Sequence, residues 1–219
     1  MISTNNEKID LNSTDGDITT IWVAPNFDNI PDDLKLQPWA VWIAEPRPDK
    51  SGKFNKAPRS PSTGHKVGAN KPELFGTYDE AKIAFESGYY TGVGVLLTGN
   101  GIVGFDIDDY VTAFTNNPAV KRWVQQATTD QTNPAYAELS PSGTGLRLFI
   151  RGKLPDKGRK QGSLEVYDNE RFLTVTGGCP LLFGRMEVAL CAAINRGLSP
   201  IIIHIWHDDA RATWHVVTF

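Results

Sequence analysis

Residues 101–110, GIVGFDIDDY, set three carboxylates into a run that otherwise reads as a buried β-strand. Side chains in a strand alternate faces with period two, so Val103, Phe105 and Ile107 point one way and Gly104, Asp106 and Asp108 the other. Two carboxylates about 5 Å apart at an effective dielectric near 20 repel by roughly 3 kcal/mol. A fold keeps such a strand only where something offsets that repulsion. Protonation of one carboxyl would do so, and a divalent cation would do so while leaving both ionised; hard oxygen donors suit Mg²⁺ or Mn²⁺. Asp109 falls on the opposite register and marks the strand's end. An EF-hand calcium loop does not fit, because Tyr110 stands at the third acidic position, Val111 replaces the required glycine and Asn117 replaces the closing glutamate.

The same alternation can be followed downstream. In LRLFIRG (146–152), Leu146, Leu148 and Ile150 form an apolar face and leave Arg147, Phe149 and Arg151 opposite. In SLEVYD (163–168), Leu164 and Val166 leave Ser163, Glu165 and Tyr167 opposite. If these strands share a sheet, Asp106, Asp108 and Glu165 converge as three acids for metal with Arg147 as a guanidinium for phosphate, a set suited to phosphoryl transfer. Singly, a D-x-D in a half-exposed strand is ordinary polar surface and Arg147 an ordinary ion-pair partner. Their conjunction points to chemistry. SPSGTG (140–145), just before the Arg147 strand, offers Ser140, Ser142, Gly143 and Gly145 at a tight turn where backbone N–H groups can face an anion; as an isolated turn it is also compatible with a plain hairpin.

The remaining pattern predicts an α+β fold without internal repeats. WAVWIAE (39–45) reads as a strand followed by a long basic loop with four prolines and three glycines. TYDEAKIAFESG (77–88) predicts a helix with Thr77 as N-cap, Glu80 in the capping-box position and Gly88 as terminator. Runs 93–97 and 102–108, joined by TGNG, predict a hairpin, and 163–168 with 171–177 predict another around Asn169–Glu170. Helices are expected over 117–130, begun by Asn117 and Pro118, and over 185–197. The organisation expected is a polar, acidic, flexible leader over 1–33, one domain over 34–197 and a tail over 198–219.

No run of eighteen apolar residues exists, and the polar N-terminus is unlike a secretory signal, so a soluble cytoplasmic chain is expected, with no membrane partner. Two cysteines, Cys179 and Cys191, support neither a disulfide framework nor a four-cysteine zinc site. The net charge of −3 hides a strong asymmetry. Residues 1–33 carry seven acidic groups against one lysine, whereas 47–71 carry seven basic groups, Lys56 among them, against Asp49 alone. A second basic stretch, 147–171, ends at Arg171. Local cationic segments of this kind bind polyanions even in an acidic protein, although solvated loops share the pattern.

Taken together, KAPRSPSTG (56–64), GYYTGVGVLLTGNGIVGFDIDD (88–109), ELSPSGTGLRLFIRGKLP (138–155) and GSLEVYDNERFLTVTGG (162–178) resemble the primase-polymerase domain of phage and plasmid replication proteins, in the archaeo-eukaryotic primase superfamily. The resemblance covers roughly residues 36–180. It implies a primase-like core in which an RRM-like mixed sheet with flanking helices packs on a smaller α/β unit. It further implies two-metal, template-directed nucleotidyl transfer with Mg²⁺ or Mn²⁺, using NTPs or dNTPs on single-stranded DNA, with a replicative helicase supplied separately. Carried over by position, Asp106, Asp108 and Glu165 are the implied catalytic metal ligands, while Arg147, Ser140, Ser142, Gly143, Gly145, Arg171 and Lys56 are the implied nucleotide and phosphate contacts. Arg147 occupies the position where the family usually has histidine. Arginine clamps phosphate well but is never neutral at physiological pH, so it cannot act as a base; a catalytically weak nucleotide- or DNA-binding module is the alternative. Many relatives carry zinc. No zinc is expected here, since the chain lacks a cysteine cluster and HIWHDD (204–209) with His215 matches no structural zinc spacing.

Overall fold

Trp-Ala-Val-Trp at 39–42 is apolar on both sides of the pleat, and in the computed structural model, which describes residues 22–50 and 52–178, all four are buried in a central strand. The chain runs α1 (Asp32–Lys35), β1 (Trp39–Trp42), β2 (Glu45–Pro46), β3 (Phe54–Asn55), β4 (Pro58–Arg59), α2 (Tyr78–Glu86), β5 (Gly92–Thr98), β6 (Ile102–Ile107), α3 (Tyr110–Asn116), α4 (Pro118–Thr129), β7 (Tyr136–Leu139), β8 (Leu146–Arg151), β9 (Arg159–Gln161), β10 (Leu164–Tyr167) and β11 (Asn169–Val175). One sheet has the order β11-β5-β1-β4, a second the order β7-β8-β6-β10-β9, and β2 with β3 forms a small ribbon within the basic segment. The α+β class expected from the sequence is what the chain adopts. Mixed strand pairing is not: every pairing among the described strands is antiparallel.

Both expected hairpins are also corrected. β5 and β6 belong to different sheets, as do β10 and β11, so the chain crosses between sheets at 99–101 and again at 168. The crossings adjoin each other, since the Gly99 N–H donates to the Asp168 carbonyl at 2.7 Å. Glycine-rich turn chemistry specifies a change of direction, with Gly99 and Gly101 at φ 77° and 85°, but not which strand becomes the neighbour. β5 is buried along nearly its whole length and has both edges taken, by β1 and β11, leaving none for β6. Asn169–Glu170 form a bulge at the start of β11, with Glu170 at φ 50°, rather than a hairpin turn.

Local signals for the helices hold. Thr77 accepts from the Glu80 amide while the Glu80 carboxylate accepts from the Thr77 amide, and Asn117 caps α4 with Pro118 in its first turn. α3 and α4 cover one face of the five-stranded sheet through Ile107, Leu146, Leu148, Trp123 and Val124. The first sheet covers part of the other face, in a core that joins Trp39, Val95, Leu97 and Leu173 to Ile102, Tyr136 and Phe149. Gly104 makes this contact possible: a Cβ there would lie 2.5 Å from Leu173 Cδ1.

Residues 22–33, read from sequence as part of a flexible leader, pack onto this frame. Trp22 stands edge-on to Trp42 and Phe54, Ile30 is 2% exposed, and the Asn26 N–H donates to the Thr176 carbonyl at 2.7 Å. The expected helix over 185–197, both cysteines, the tail and HIWHDD lie outside the described residues. Among the described residues no helix is long and apolar enough to cross a membrane.

Candidate active site

Antiparallel partners directly opposite one another share a face of the sheet. The registers of the five-stranded sheet therefore define one charged row across it: Glu138 on β7, Arg147 on β8, Asp106 on β6, Glu165 on β10 and Lys160 on β9. Two residues back along the strands lies an apolar row of Tyr136, Phe149, Gly104 and Tyr167 on the same face. The face is thus divided, half packed under the first sheet and half polar. Strand β11 reaches over the polar row. Its Arg171 donates to Glu165 Oε2 at 2.8 Å, its Thr174 receives Arg147, and just beyond it the amides of Thr176 and Gly177 donate to Glu138.

Asp106 is partly exposed and faces Arg147 Nε at 3.4 Å. Asp108 lies exposed just past β6, where its N–H donates to the Ser163 carbonyl at 2.9 Å. Arg147 is nearly buried; its Nη1 donates to the Thr174 carbonyl at 2.7 Å and to the Thr174 hydroxyl. Glu165 accepts from Lys160, from Arg171 and, at 2.9 Å, from the Tyr167 hydroxyl. Burial pushes the Glu165 carboxyl up, but the hydrogen bonds from Lys160 and Tyr167 and the charges of Arg171 and Lys160 outweigh it and hold the group below its ordinary range.

Lys56 reaches the same region from the basic segment, with its Nζ 5.3 Å from the centre of the Trp22 ring. Burial, and then the neighbouring Arg147 charge, lower its affinity for the proton against the pull of Asp106 and Asp108. The 140–145 turn stands at the end of β6: a Cβ on Gly145 would lie 3.2 Å from the Ile107 carbonyl. Ser140 is buried and holds the turn together, its Oγ accepting from the Gly145 N–H at 2.9 Å. Gly143 takes φ 73°, and Ser142 and Thr144 present exposed hydroxyls.

The structure thus brings together Asp106, Arg147, Glu165, Arg171 and Lys56, with Asp108 and the turn at the row's open end. Ser140 has a role inside the turn. Sequence reasoning missed Glu138, Lys160, Tyr167 and Thr174. The run YAEL (136–139) carries the two-residue alternation that puts Tyr136 and Glu138 on one face, but only register places Glu138 beside Arg147.

Against this geometry the comparisons are specific. Over 147 residues, 64% of this chain, the sequence is 32% identical to a DNA primase-polymerase of Nitratiruptor phage NrS-1. This chain is related to a phage DNA primase-polymerase. The aligned part of that primase-polymerase is 19% of its length, so the chain corresponds to about a fifth of its relative. No family model matches the chain.

Proposed function

We propose that this chain is a nucleotidyl-transfer domain of a DNA primase-polymerase, extending or synthesising primers on a single-stranded DNA template from NTPs or dNTPs in the cytoplasm, with a helicase supplied separately. The observation that carries this reading is the charged row, in which Asp106 stands between Arg147 and Glu165 with Asp108 at the open end. A five-stranded sheet with helices on one face and a second sheet on the other is compatible with the RRM-like and α/β pairing expected of a primase-like core.

Asp106 and Asp108 fit Mg²⁺ or Mn²⁺: both are carboxylates, both are accessible, and the charges of both act on Lys56. Glu165 fits less well, because Lys160, Arg171 and Tyr167 already occupy it, and no three acidic, histidine or cysteine side chains form a ready metal cluster among the described residues. Asp106 and Asp108 would therefore hold the metal, and Glu165 would join only after releasing its cations. When bound, the metal neutralises triphosphate charge and orients the attacking and leaving oxygens.

The chain's own groups do the rest. Arg147, held at Nη1 by Thr174, keeps a fixed positive charge at the row and clamps phosphate without exchanging protons. Lys56, Arg171 and Lys160 surround the same space and offset the triphosphate's negative charge, while the Ser142 and Thr144 hydroxyls and the Gly143 turn offer hydrogen-bond donors at the end of β6. A 3′-hydroxyl oriented here attacks the α-phosphate and loses its proton to solvent; the new P–O bond forms as the bond from the α-phosphorus to the bridging oxygen breaks, and pyrophosphate leaves. The basic segments 47–71 and 147–171 supply charge along which a template backbone can lie.

The test is incorporation of labelled NTPs or dNTPs on a single-stranded template with Mn²⁺ or Mg²⁺, with and without primer. Asp106→Ala should abolish it, and no product under any of these conditions overturns the reading. The saturation of Glu165 favours a second reading, a module that binds DNA without polymerising. Nucleotide binding that requires metal and Asp108 supports the enzyme, whereas salt-sensitive DNA binding indifferent to metal supports the module. DNA cleavage with metal and no nucleotide would instead point to a nuclease.

A further inference from the structure

We propose that Glu138 is a positioning residue for the phosphate-binding arginine, holding the Arg147 guanidinium in place through the end of β11. The proposal rests on the nucleotidyl-transfer reading for its functional consequence, but its geometry stands independently.

Glu138 is 0% exposed. One carboxylate oxygen, Oε2, accepts from the Tyr136 hydroxyl at 2.8 Å, the Thr176 N–H at 3.0 Å and the Gly177 N–H at 2.9 Å. The other, Oε1, is buried and has no hydrogen-bond partner among the described residues. Burying a carboxylate with one oxygen unsatisfied is costly, and stability alone is often served as well by an apolar side chain of similar volume. What this carboxylate secures is position. Its two backbone partners lie two and three residues beyond Thr174, which grips Arg147 Nη1. Arg147 is in turn the cross-strand neighbour of Glu138. Glu138, the chain from 174 to 177 and Arg147 thus form a closed ring of contacts.

Within that ring Arg147 is fixed at one end, while its Nε, buried and 3.4 Å from Asp106 in an ion pair, has no hydrogen-bond partner among the described residues. A guanidinium gripped at Nη1 by Thr174 and drawn at Nε by Asp106 is held in one orientation. Loosening the ring lets it swing toward Glu138 or Asp106. Among the described residues, the titratable and charged groups facing Glu138 are Tyr136 on its own strand and Arg147 on β8, and the chain beyond β11 contributes amides. Burial pushes the Glu138 carboxyl up to about 7, against the pull of the Gly177 amide and the Arg147 charge, so the field on Arg147 changes across neutrality.

The decisive experiment follows the Arg147 Nε–Hε resonance in the ¹⁵N-labelled full chain, assigned by its loss in Arg147→Lys, between pH 5.5 and 8.5. In the wild type it moves with a midpoint near the Glu138 value of about 7. In Glu138→Gln, which keeps an acceptor for the amides but removes the charge, it is displaced and independent of pH. Thr174→Val, which leaves Glu138 intact, displaces the resonance but retains the midpoint, and serves should Glu138→Gln not fold. In steady-state incorporation, both variants raise the nucleotide KM by about tenfold with kcat within about twofold, the pattern of lost binding rather than lost chemistry. An Arg147 resonance unchanged by Glu138→Gln in position and pH response overturns the proposal, as does a Thr174→Val resonance identical to wild type. The resonance needs no turnover, so it decides the positioning claim even if absence of wild-type incorporation defeats the polymerase reading.

Discussion

Replacing Gly104 tests the packing that creates the polar half of the site. A Cβ at this position would lie 2.5 Å from Leu173 Cδ1 and 3.0 Å from Leu97 Cδ1. Ordinary carbon contacts sit at about 3.5–4.0 Å, so Leu173 must retreat by roughly 1 Å in a region without spare volume. Overpacking of this kind costs about 1–3 kcal/mol, and the backbone entropy recovered by Gly→Ala in a strand returns about 0.5–1. Gly104→Ala should therefore destabilise the wild-type chain by about 0.5–2 kcal/mol. Leu173→Ala alone costs about 2–5 kcal/mol through the cavity it leaves. In that background only the 3.0 Å approach to Leu97 Cδ1 remains, and Gly104→Ala should come close to neutral. Urea unfolding of the four proteins measures the cycle, and the two substitutions should couple by about 0.5–2 kcal/mol. If Gly104→Ala has the same effect in both backgrounds within about 0.5 kcal/mol, Gly104 and Leu173 are not in contact and the crossing of the chain between sheets is wrong.

Three further outcomes follow from the same structure. Because the folded Glu138 carboxyl binds its proton up to about pH 7 against an ordinary 4.5, the folded state holds the extra proton between these values. Its contribution is therefore complete below 4.5 and is lost by about 7, roughly 3 kcal/mol at most, and Glu138→Gln should flatten that slope in denaturant titrations at successive pH values. Carboxylates held below their ordinary range, such as Glu80 and Asp130, act only at lower pH and do not mask it. Lys160→Met combined with Arg171→Met leaves Glu165 with Tyr167 as its remaining donor, so Mn²⁺ binding by nucleotide-free protein, followed by the EPR signal of free Mn²⁺, should tighten at least about threefold; unchanged or weaker binding means that Glu165 is no metal donor. Thr77→Ala removes the α2 capping box and should cost about 1 kcal/mol in urea unfolding while leaving nucleotide binding unchanged.

What the sequence determined by itself is the set of facts that depend on neighbours along the chain. Strand alternation has period two whatever the fold, so it placed Asp106, Arg147 and Glu165 opposite the apolar Ile107, Leu146 and Leu164, as the structure has them. Capping is likewise local, which is why α2 and α4 begin where Thr77 and Asn117 stand. Strand partnership is not local. The turns at 99–101 and 168–170 announce reversals in the same residue types whether the chain folds back on itself or crosses to another sheet. Burial decides between them, because β5 is covered on both faces and paired on both edges by segments more than fifty residues away from one another. Only that arrangement brings β11 over the charged row, gives Glu165 its cations, draws Lys56 toward Asp106 and seals Glu138 beside Arg147. The chemistry-bearing residues were legible one strand at a time; their meeting depends on which distant apolar surfaces exclude water together.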